Sequence, residues 1–314
     1  MRELLSVIVP CYNEGAVIER TAKAIVDTCT GRAFDFEIIF VNDGSKDDTL
    51  AFLKKLAGRS EKIKYISFSR NFGKEAAMLS GLEHCKGSCA VIMDADLQHP
   101  PECVAQIIVK FEEGYEVINM VRTKNKSAGF IKNLTSSAFY KFLNKISDVK
   151  LENNASDFFA LTANAAQVLK TNYREKVRFL RGYVQNIGFN RTTIEYEARA
   201  RVAGESKYSI RKLFKFSINT ILCFSDLPLK LGIYSGIIVG FLGLLVMLET
   251  IYEWAVKGTP NGYATIVVLL CFMFAMLFVI VGIIGEYIAI LFTELKDRPI
   301  YIVHDTKGFP EKES

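Results

Sequence analysis

Apolar and polar positions alternate along roughly the first 200 residues in a pattern that predicts strands and helices by turns. Short apolar runs predict buried strands at residues 4–9, 36–41, 63–68, 89–93 and 117–121, and residues 187–197 also resemble a strand. Helical spacing of apolar residues predicts helices between and after them, at residues 14–29, 47–56, 74–85, 101–113, 127–146, 164–170 and 175–185. Strands that alternate with helices predict an α/β fold with a mostly parallel sheet. Ligands of such sheets bind beyond the carboxyl ends of the strands.

The pattern changes after residue 228. Residues 231–248 and 263–285 carry no charge, and a transmembrane helix needs about 20 such residues. Basic residues precede the first run and follow the second, whereas the loop between them holds only Lys257. The positive-inside rule therefore predicts a two-helix hairpin with both chain termini in the cytoplasm. Residues 206–226 have helical amphipathic spacing, which fits a helix on the membrane surface or an ordinary domain helix.

Composition supports a soluble part followed by a membrane part, because half of the residues are hydrophobic and the excess lies late in the chain. The seven cysteines form no CxxC pair, so neither a disulfide framework nor a zinc site is expected. The first ten residues lack the features of a signal peptide. A net charge of +5 without a long basic block argues against a nucleic-acid partner; the basic residues between 199 and 215 suit lipid headgroups or phosphates.

The predicted strand at 89–93 is followed by the sequence DADLQHP. If this stretch is extended, Asp94, Asp96 and Gln98 face one side and His99 faces the other. Such oxygen ligands suit Mg²⁺ or Mn²⁺ together with a substrate diphosphate. The alternative is a polar turn that caps the next helix.

Three other predicted strands also end in polar residues. VPCYNE contains Tyr12 and Glu14, which could stack on a base and bind ribose, although Asn13 could simply cap a helix. In VNDGS, Asp43 could accept from a uracil edge, or the stretch is a turn with Gly44 at positive φ. RNFGK offers Lys74 to a phosphate or a nucleobase, but it is neither a P-loop nor a dinucleotide-binding fingerprint.

These four motifs together resemble glycosyltransferase family two, which has the GT-A nucleotide-diphospho-sugar transferase fold. The later sequences RGYVQNIGF, RVAGESKYS, FSDLPL and KDRPIY resemble a narrower group within that family, the bacterial polyprenyl-phosphate glycosyltransferases. This group is similar to bactoprenol glucosyltransferases and more distantly to dolichol-phosphate mannose synthases. The resemblance implies an α/β GT-A catalytic domain over residues 1–205 and an interfacial amphipathic segment over 206–228. It further implies two transmembrane helices within 229–290, at about 231–254 and 263–287, and a cytoplasmic tail over 291–314.

The resemblance also implies roles for particular residues. The nucleotide would be held by Pro10, Tyr12, Glu14, Asp43, Lys74 and Asp94. The metal, Mg²⁺ or Mn²⁺, would be held by Asp94, Asp96 and Gln98. Asp157 would join Asp96 as a catalytic residue, acting as a base or orienting the acceptor. The acceptor phosphate would be held by Arg122, Lys126, Arg201 and Lys207. Phe159 stands where many relatives have Arg, and the segment from Arg122 to Lys126 is less arginine-rich than theirs.

The implied reaction is inverting transfer of a hexose, with glucose expected, from a UDP-sugar to polyprenyl phosphate at the cytoplasmic face of a bacterial plasma membrane. Alternatives are transfer of another sugar, such as N-acetylhexosamine, galactose or mannose from GDP, or extension of a glycolipid or polysaccharide. A membrane protein that binds a sugar nucleotide without catalysis is the least favoured. Gly232, Gly236, Gly240 and Gly243 would allow close helix contact, and therefore self-association into a homo-oligomer.

Overall fold

The structure is a computed structural model. It describes residues 3–123, 155–173, 175–176, 179–199, 227–257 and 262–310. The described chain forms two compact units. The first unit contains one sheet and its helices, and the second contains the two long apolar helices.

Eight strands form the sheet of the first unit, in the order β7-β5-β6-β4-β1-β2-β3-β8. The strands are β1 (Leu4–Cys11), β2 (Asp35–Asn42), β3 (Ile63–Phe68), β4 (Cys89–Ile92), β5 (Val117–Arg122), β6 (Ala155–Thr162), β7 (Arg191–Tyr196) and β8 (Val303–Lys307). Strands β1 to β4 are parallel, and β7 is parallel to β5. Strand β6 is antiparallel to both β4 and β5, and β8 is antiparallel to β3. The predicted α/β fold with a mostly parallel sheet is confirmed.

Six helices accompany the described part of the sheet. They are α1 (Ile18–Cys29), α2 (Thr49–Arg59), α3 (Lys74–His84), α4 (Cys103–Glu112), α5 (Ala163–Asn172) and α6 (Leu180–Asn186). Side chains from α1, α2 and α4 pack with the odd-numbered residues of β1 in one apolar core. Helix α3 packs on β1 from the other face, where an added Cβ at Gly81 would lie 2.2 Å from Ile8 Cγ2. Both faces of the central strands are therefore covered, which explains their unbroken apolar runs.

The strand order places a binding crevice at the carboxyl ends of β1 and β4. The chain adds β2 and β3 on one side of β1 and then returns to add β4 on the other side. Ligands of open α/β sheets bind at such a reversal. Because β6 runs antiparallel to β4, its first residues lie at this same edge of the sheet. Sequence analysis predicted neither β6 nor β8.

The second unit contains α7 (Leu227–Lys257) and α8 (Tyr263–Leu295). Within them, Leu229–Val256 and Phe272–Leu295 are long and apolar enough to cross a membrane. None of the described residues in these two ranges is buried, whereas the core helix of a soluble protein is mostly buried. An added Cβ at Gly232 would lie 3.4 Å from Ile280 Cγ2, so the two helices approach closely there. The predicted amphipathic helix over residues 206–226 and the predicted helix over 127–146 lie outside the described residues.

Candidate active site

The loops after β1 and β2 are bonded to each other. Asn13, at φ +54°, donates its backbone N–H to Ser45 Oγ at 2.9 Å, and its Oδ1 accepts from the Lys46 N–H at 2.9 Å. The Glu14 N–H donates to Thr49 Oγ1 at 2.9 Å. Helix α1 begins at Ile18 with Val17 as its N-cap, so the alternative role of Asn13 as a helix cap is wrong. These bonds fix the backbone of the loop that carries Tyr12 and Glu14.

Asp43 is occupied by the turn that follows β3. Its Oδ1 accepts the Phe72 N–H at 2.6 Å, and its Oδ2 accepts the Gly73 N–H at 3.0 Å and Asn71 Nδ2 at 2.9 Å. Burial raises the pKa of the Asp43 carboxyl, and the two N–H donors partly offset that effect. Asp43 therefore shapes the turn that starts α3. These bonds do not test the predicted contact between Asp43 and uracil, which stays a prediction.

Gly44 makes this approach between loops possible. Its φ is +62°, as one of the alternatives predicted, and an added Cβ would lie 2.3 Å from the Arg70 carbonyl carbon. Arg70 is in turn stacked over the Phe72 ring, with its guanidinium carbon 4.0 Å from the ring centroid. A side chain at position 44 would separate the two loops.

Lys74, the first residue of α3, joins two of the predicted site carboxylates. Its Nζ lies 2.6 Å from Asp94 Oδ1 and 2.7 Å from Asp157 Oδ2. Burial alone would lower the pKa of Lys74, but Asp157 and Asp94 outweigh it and raise that pKa. Lys74 is therefore a permanent cation between Asp94, which follows β4, and Asp157, near the start of β6.

Asp157 has a second cation beside it. Arg181 Nη1, in α6, lies 3.8 Å from Asp157 Oδ1. Burial would raise the pKa of Asp157, but Lys74 and Arg181 outweigh it and hold that pKa well below its usual range. The pKa of Asp94 is also lowered, since Lys74 outweighs burial. Both carboxylates are ionised near neutral pH.

Two residues of this cluster had no role in the sequence analysis. Arg181 belongs to the quoted motif RGYVQNIGF, and Glu75 follows Lys74 in RNFGKEAA. Glu75 Oε2 accepts the Leu180 N–H at 2.9 Å and thereby links α3 to the start of α6. Burial and the nearby Asp157 raise the pKa of Glu75 to about 7. No spacing rule relates positions 75 and 181, because only the fold brings α3 and α6 together.

The segment Asp94–Gln98 is a turn, so the extended geometry predicted for it is wrong. Strand β4 ends at Ile92, and Leu97 has a φ of +60°. Asp96 is buried, and its Oδ1 accepts the Gln98 N–H at 3.0 Å. His99 does not point away from the turn: its Nδ1 accepts the Asp94 N–H at 2.9 Å, and its Nε2 lies 3.8 Å from Asp94 Oδ2.

The predicted acceptor residues are only partly described. Arg122 ends β5 beside Tyr196 of β7, and its Nε is buried with no hydrogen-bond partner among the described residues. Lys126, Arg201 and Lys207 lie outside the described residues. Pro10 is buried at the end of β1, next to the loop that carries Tyr12. The structure thus brings together Lys74, Asp94 and Asp157. Asp43 bonds the turn that directly precedes Lys74.

The donor set suits a divalent cation that arrives with a phosphate. Within the described ranges, no three His, Cys, Asp or Glu side chains converge as a complete metal site. Mg²⁺ typically uses one or two carboxylates and completes its shell with water and substrate phosphates. Asp94 and Asp96 offer two carboxylates in one turn, and Lys74 Nζ already marks a position beside Asp94 where positive charge is favourable.

The chain belongs to glycosyltransferase family 2: the model of that family, Glycosyl transferase family 2, matches residues 6–167. The GT-A fold expected from the resemblance is that of this family. Relatives extend over almost the whole chain. The putative glycosyltransferase CsbB of Bacillus subtilis is 38% identical, over 99% of this chain and 94% of the relative. The bactoprenol glucosyl transferase of Shigella phage SfV is 33% identical, over 96% of this chain and 99% of the relative.

A solved structure with a similar fold is glucosyl-3-phosphoglycerate synthase from Mycobacterium tuberculosis. It is 17% identical, with a TM-score of 0.49, over 70% of this chain and 78% of that chain.

Proposed function

We propose that the protein transfers glucose from UDP-glucose to polyprenyl phosphate at a membrane surface, with inversion at the anomeric carbon and release of UDP. Family membership supports a glycosyltransferase. Several relatives that match over almost their full length, at 32–33% identity, are named bactoprenol glucosyl transferase or a homologue of it. The two apolar helices supply a membrane anchor for an enzyme with a lipid acceptor.

The pair of cations beside Asp157, Lys74 and Arg181, is the observation that carries the choice of acceptor. Two cations hold its pKa low, so Asp157 is a poor general base. A hydroxyl acceptor would need a base, whereas a phosphate monoester has a second pKa of about 6 and is largely dianionic near neutral pH. Asp157 thus suits an acceptor that already carries its nucleophilic charge, and its role is to orient the reactants.

The chain's own residues have distinct tasks in this reaction. Tyr12, Glu14 and Asp43 hold the uridine, and Lys74 keeps Asp94 and Asp157 fixed at the sheet edge. Arg122, with Lys126, Arg201 and Lys207, neutralises the acceptor phosphate so that two anions can approach.

A phosphate oxygen attacks the anomeric carbon, the bond to the diphosphate breaks, and UDP leaves with the electron pair. A divalent ion, Mg²⁺ or Mn²⁺, held by Asp94, Asp96 and Gln98, would neutralise the donor diphosphate when bound.

We also propose the membrane arrangement that follows from charge. Residues 1–205 form the catalytic region, to which the tail adds β8, and 206–228 form the interfacial segment, while 229–290 cross the membrane twice. Both termini, including the tail over 291–314, would then lie in the cytoplasm, beside UDP-sugars.

The test is UDP release by the full chain in lipid nanodiscs, with UDP-glucose and with or without polyprenyl phosphate. We expect release that depends on the lipid, and a lipid-linked hexose in the mass spectrum of the products. Asp96→Ala should reduce transfer by at least about 100-fold while the protein stays folded, whereas the exposed Asp27→Ala should match the wild type. UDP-sugar binding without lipid-dependent turnover would refute the proposal.

A further inference from the structure

Two buried side chains outside the predicted site form hydrogen bonds with the backbone of the turn that carries Asp94 and Asp96. One is His99, whose side chain is 2% exposed, and the other is Thr21 of α1, which is fully buried. His99 Nδ1 accepts the Asp94 N–H at 2.9 Å. Thr21 Oγ1 donates to the Ala95 carbonyl oxygen at 2.5 Å. The backbone of two consecutive residues of the turn, Asp94 and Ala95, is thus hydrogen-bonded to these two side chains.

The acceptor role fixes the form of His99. A nitrogen that accepts a hydrogen bond carries no proton, so the proton of the neutral ring is on Nε2. That nitrogen lies 3.8 Å from Asp94 Oδ2. A doubly protonated ring would instead set an N–H at Nδ1 against the Asp94 N–H. The ring therefore bonds the Asp94 backbone and lies beside the Asp94 carboxylate.

Packing holds the His99 ring in this orientation. The ring stacks on Phe158 with a centroid separation of 4.9 Å and an interplanar angle of 16°. The Tyr196 ring meets it edge-on, with centroids 5.8 Å apart. Phe158 is the neighbour of Asp157 in β6, so one aromatic stack supports both Asp94 and Asp157.

We propose that His99 and Thr21 are positioning residues that set the Asp94–Asp96 turn for binding of the divalent ion and the donor diphosphate. This inference rests on the proposed metal role of the two carboxylates. Groups that orient metal ligands typically contribute 10- to 100-fold in metal affinity or activity. Both side chains are buried and bond the backbone of the turn, so the effect of their loss must appear in metal affinity as well as in turnover.

The variant His99→Phe retains a ring that can stack on Phe158 but removes the nitrogen acceptor. His99→Asn retains an acceptor near the Nδ1 position without the ring. Thr21→Val removes only the hydroxyl. Matched controls are His84→Phe and Thr28→Val: His84 packs against Phe309, and Thr28 bonds Ala24 within α1.

The measurement is the dissociation constant of Mn²⁺ by electron paramagnetic resonance, with the full chain and a fixed concentration of UDP. We expect the constant to rise about 10-fold or more in His99→Phe and Thr21→Val, to recover partly in His99→Asn, and not to change in the controls. Where His99→Phe fails to fold, Thr21→Val decides alone. Wild-type affinity in a folded His99→Phe or Thr21→Val variant would overturn the proposal, as would a wild type that binds no Mn²⁺. A wild type that binds Mn²⁺ with UDP but transfers no glucose would refute the proposed function and leave the positioning role intact.

Discussion

Lys74 forms ion pairs with both Asp94 and Asp157 and thereby links the two carboxylates. Without its ammonium group, Asp94 and Asp157 would face each other as two anions at the end of the sheet. Both carboxylates lie within 2.7 Å of the same Lys74 nitrogen, so they are close neighbours. Two like charges so close together repel strongly, and one of the two carboxyls would take up a proton. Lys74, to which the resemblance gave a role in nucleotide binding, therefore also keeps Asp94 ionised.

Replacing Lys74 with Met should lower kcat/KM for the UDP-sugar by at least about 100-fold, because the cation that holds Asp94 and Asp157 is lost. Lys74→Arg keeps the charge and should lose less. Lys55→Met, which breaks the exposed pair with Glu19, is the control and should match the wild type. Steady-state kinetics check this, and an unchanged kcat/KM in Lys74→Met would contradict it.

Glu75 predicts a pH dependence of stability. Its pKa in the folded protein is about 7, above the ordinary 4.5, so the folded state binds the extra proton between these values. Stability should therefore fall as pH rises from about 4.5 to 7. Glu75→Gln cannot ionise and can still accept the Leu180 N–H.

This variant should melt roughly 3 °C or more above the wild type at pH 8, and at the same temperature near pH 4.5. Thermal unfolding in detergent at the two pH values measures the difference. Glu61→Gln, at an exposed position, should show no such pattern. An equal Tm for Glu75→Gln and the wild type at pH 8 would contradict the assignment.

Among single residues, the sequence predicted those that follow the strands better than those that hold the site residues in place. Asp94, Asp43 and Lys74 follow apolar runs, so their place at the carboxyl edge follows from the fold class. His99 was misplaced because the alternation rule was applied to a turn, where Leu97 has a positive φ. Arg181 and Glu75 had no local signal.

At the scale of elements, β6 does most to assemble the site. It is antiparallel to β4, with Ile92 opposite Phe159, so Asp157 arrives beside Asp94 although 63 positions separate them. Strands β1 to β4 were predictable because each is an apolar run followed by helical spacing. Strand β6 was not, since Ser156 and Asp157 interrupt the apolar pattern of its segment.

Strand β8 covers the opposite edge of the sheet with chain that follows the apolar helices. The Ser69 N–H donates to the Ile302 carbonyl at 3.0 Å, and Tyr301 stacks on Phe68 at 4.8 Å. The Tyr301 hydroxyl bonds Glu83 of α3. The tail over 291–314, expected only to be cytoplasmic, therefore contributes a strand to the catalytic unit.

Tyr301→Ala should destabilise that unit by about 2 kcal/mol, through loss of the ring stack and the hydrogen bond. A fall in Tm of about 4–8 °C is expected, measured by thermal unfolding. His304→Ala, in the exposed part of β8, is the matched control. A wild-type Tm for Tyr301→Ala would show that β8 contributes little.

For the whole molecule, composition separated a soluble part from a membrane part, and the structure has two units at the corresponding places. The change in hydropathy was visible because a membrane span needs a long uncharged run, which is rare in soluble domains. Sequence did not reveal that the first unit draws on both ends of the chain, because a five-residue exposed strand has no apolar pattern.

The proposed topology predicts the result of reporter fusions. Green fluorescent protein should fluoresce at either terminus, whereas alkaline phosphatase should be active only when inserted near residue 258, between α7 and α8. Basic residues at the two flanks give the reason. Active phosphatase at the C-terminus would contradict the hairpin.

The late position of β8 affects how the protein is made. Roughly 230 residues separate β3 from β8, so at about 5–20 residues per second the ribosome needs on the order of 10–50 s to supply the partner of β3. Throughout that time β3 is an uncovered edge, open to pairing with another nascent chain. Because α7 and α8 are synthesised before β8, the first unit can be completed only after the two apolar helices have left the ribosome. A stalled or clipped chain would keep an open sheet edge, which gives quality-control proteases a means to recognise it.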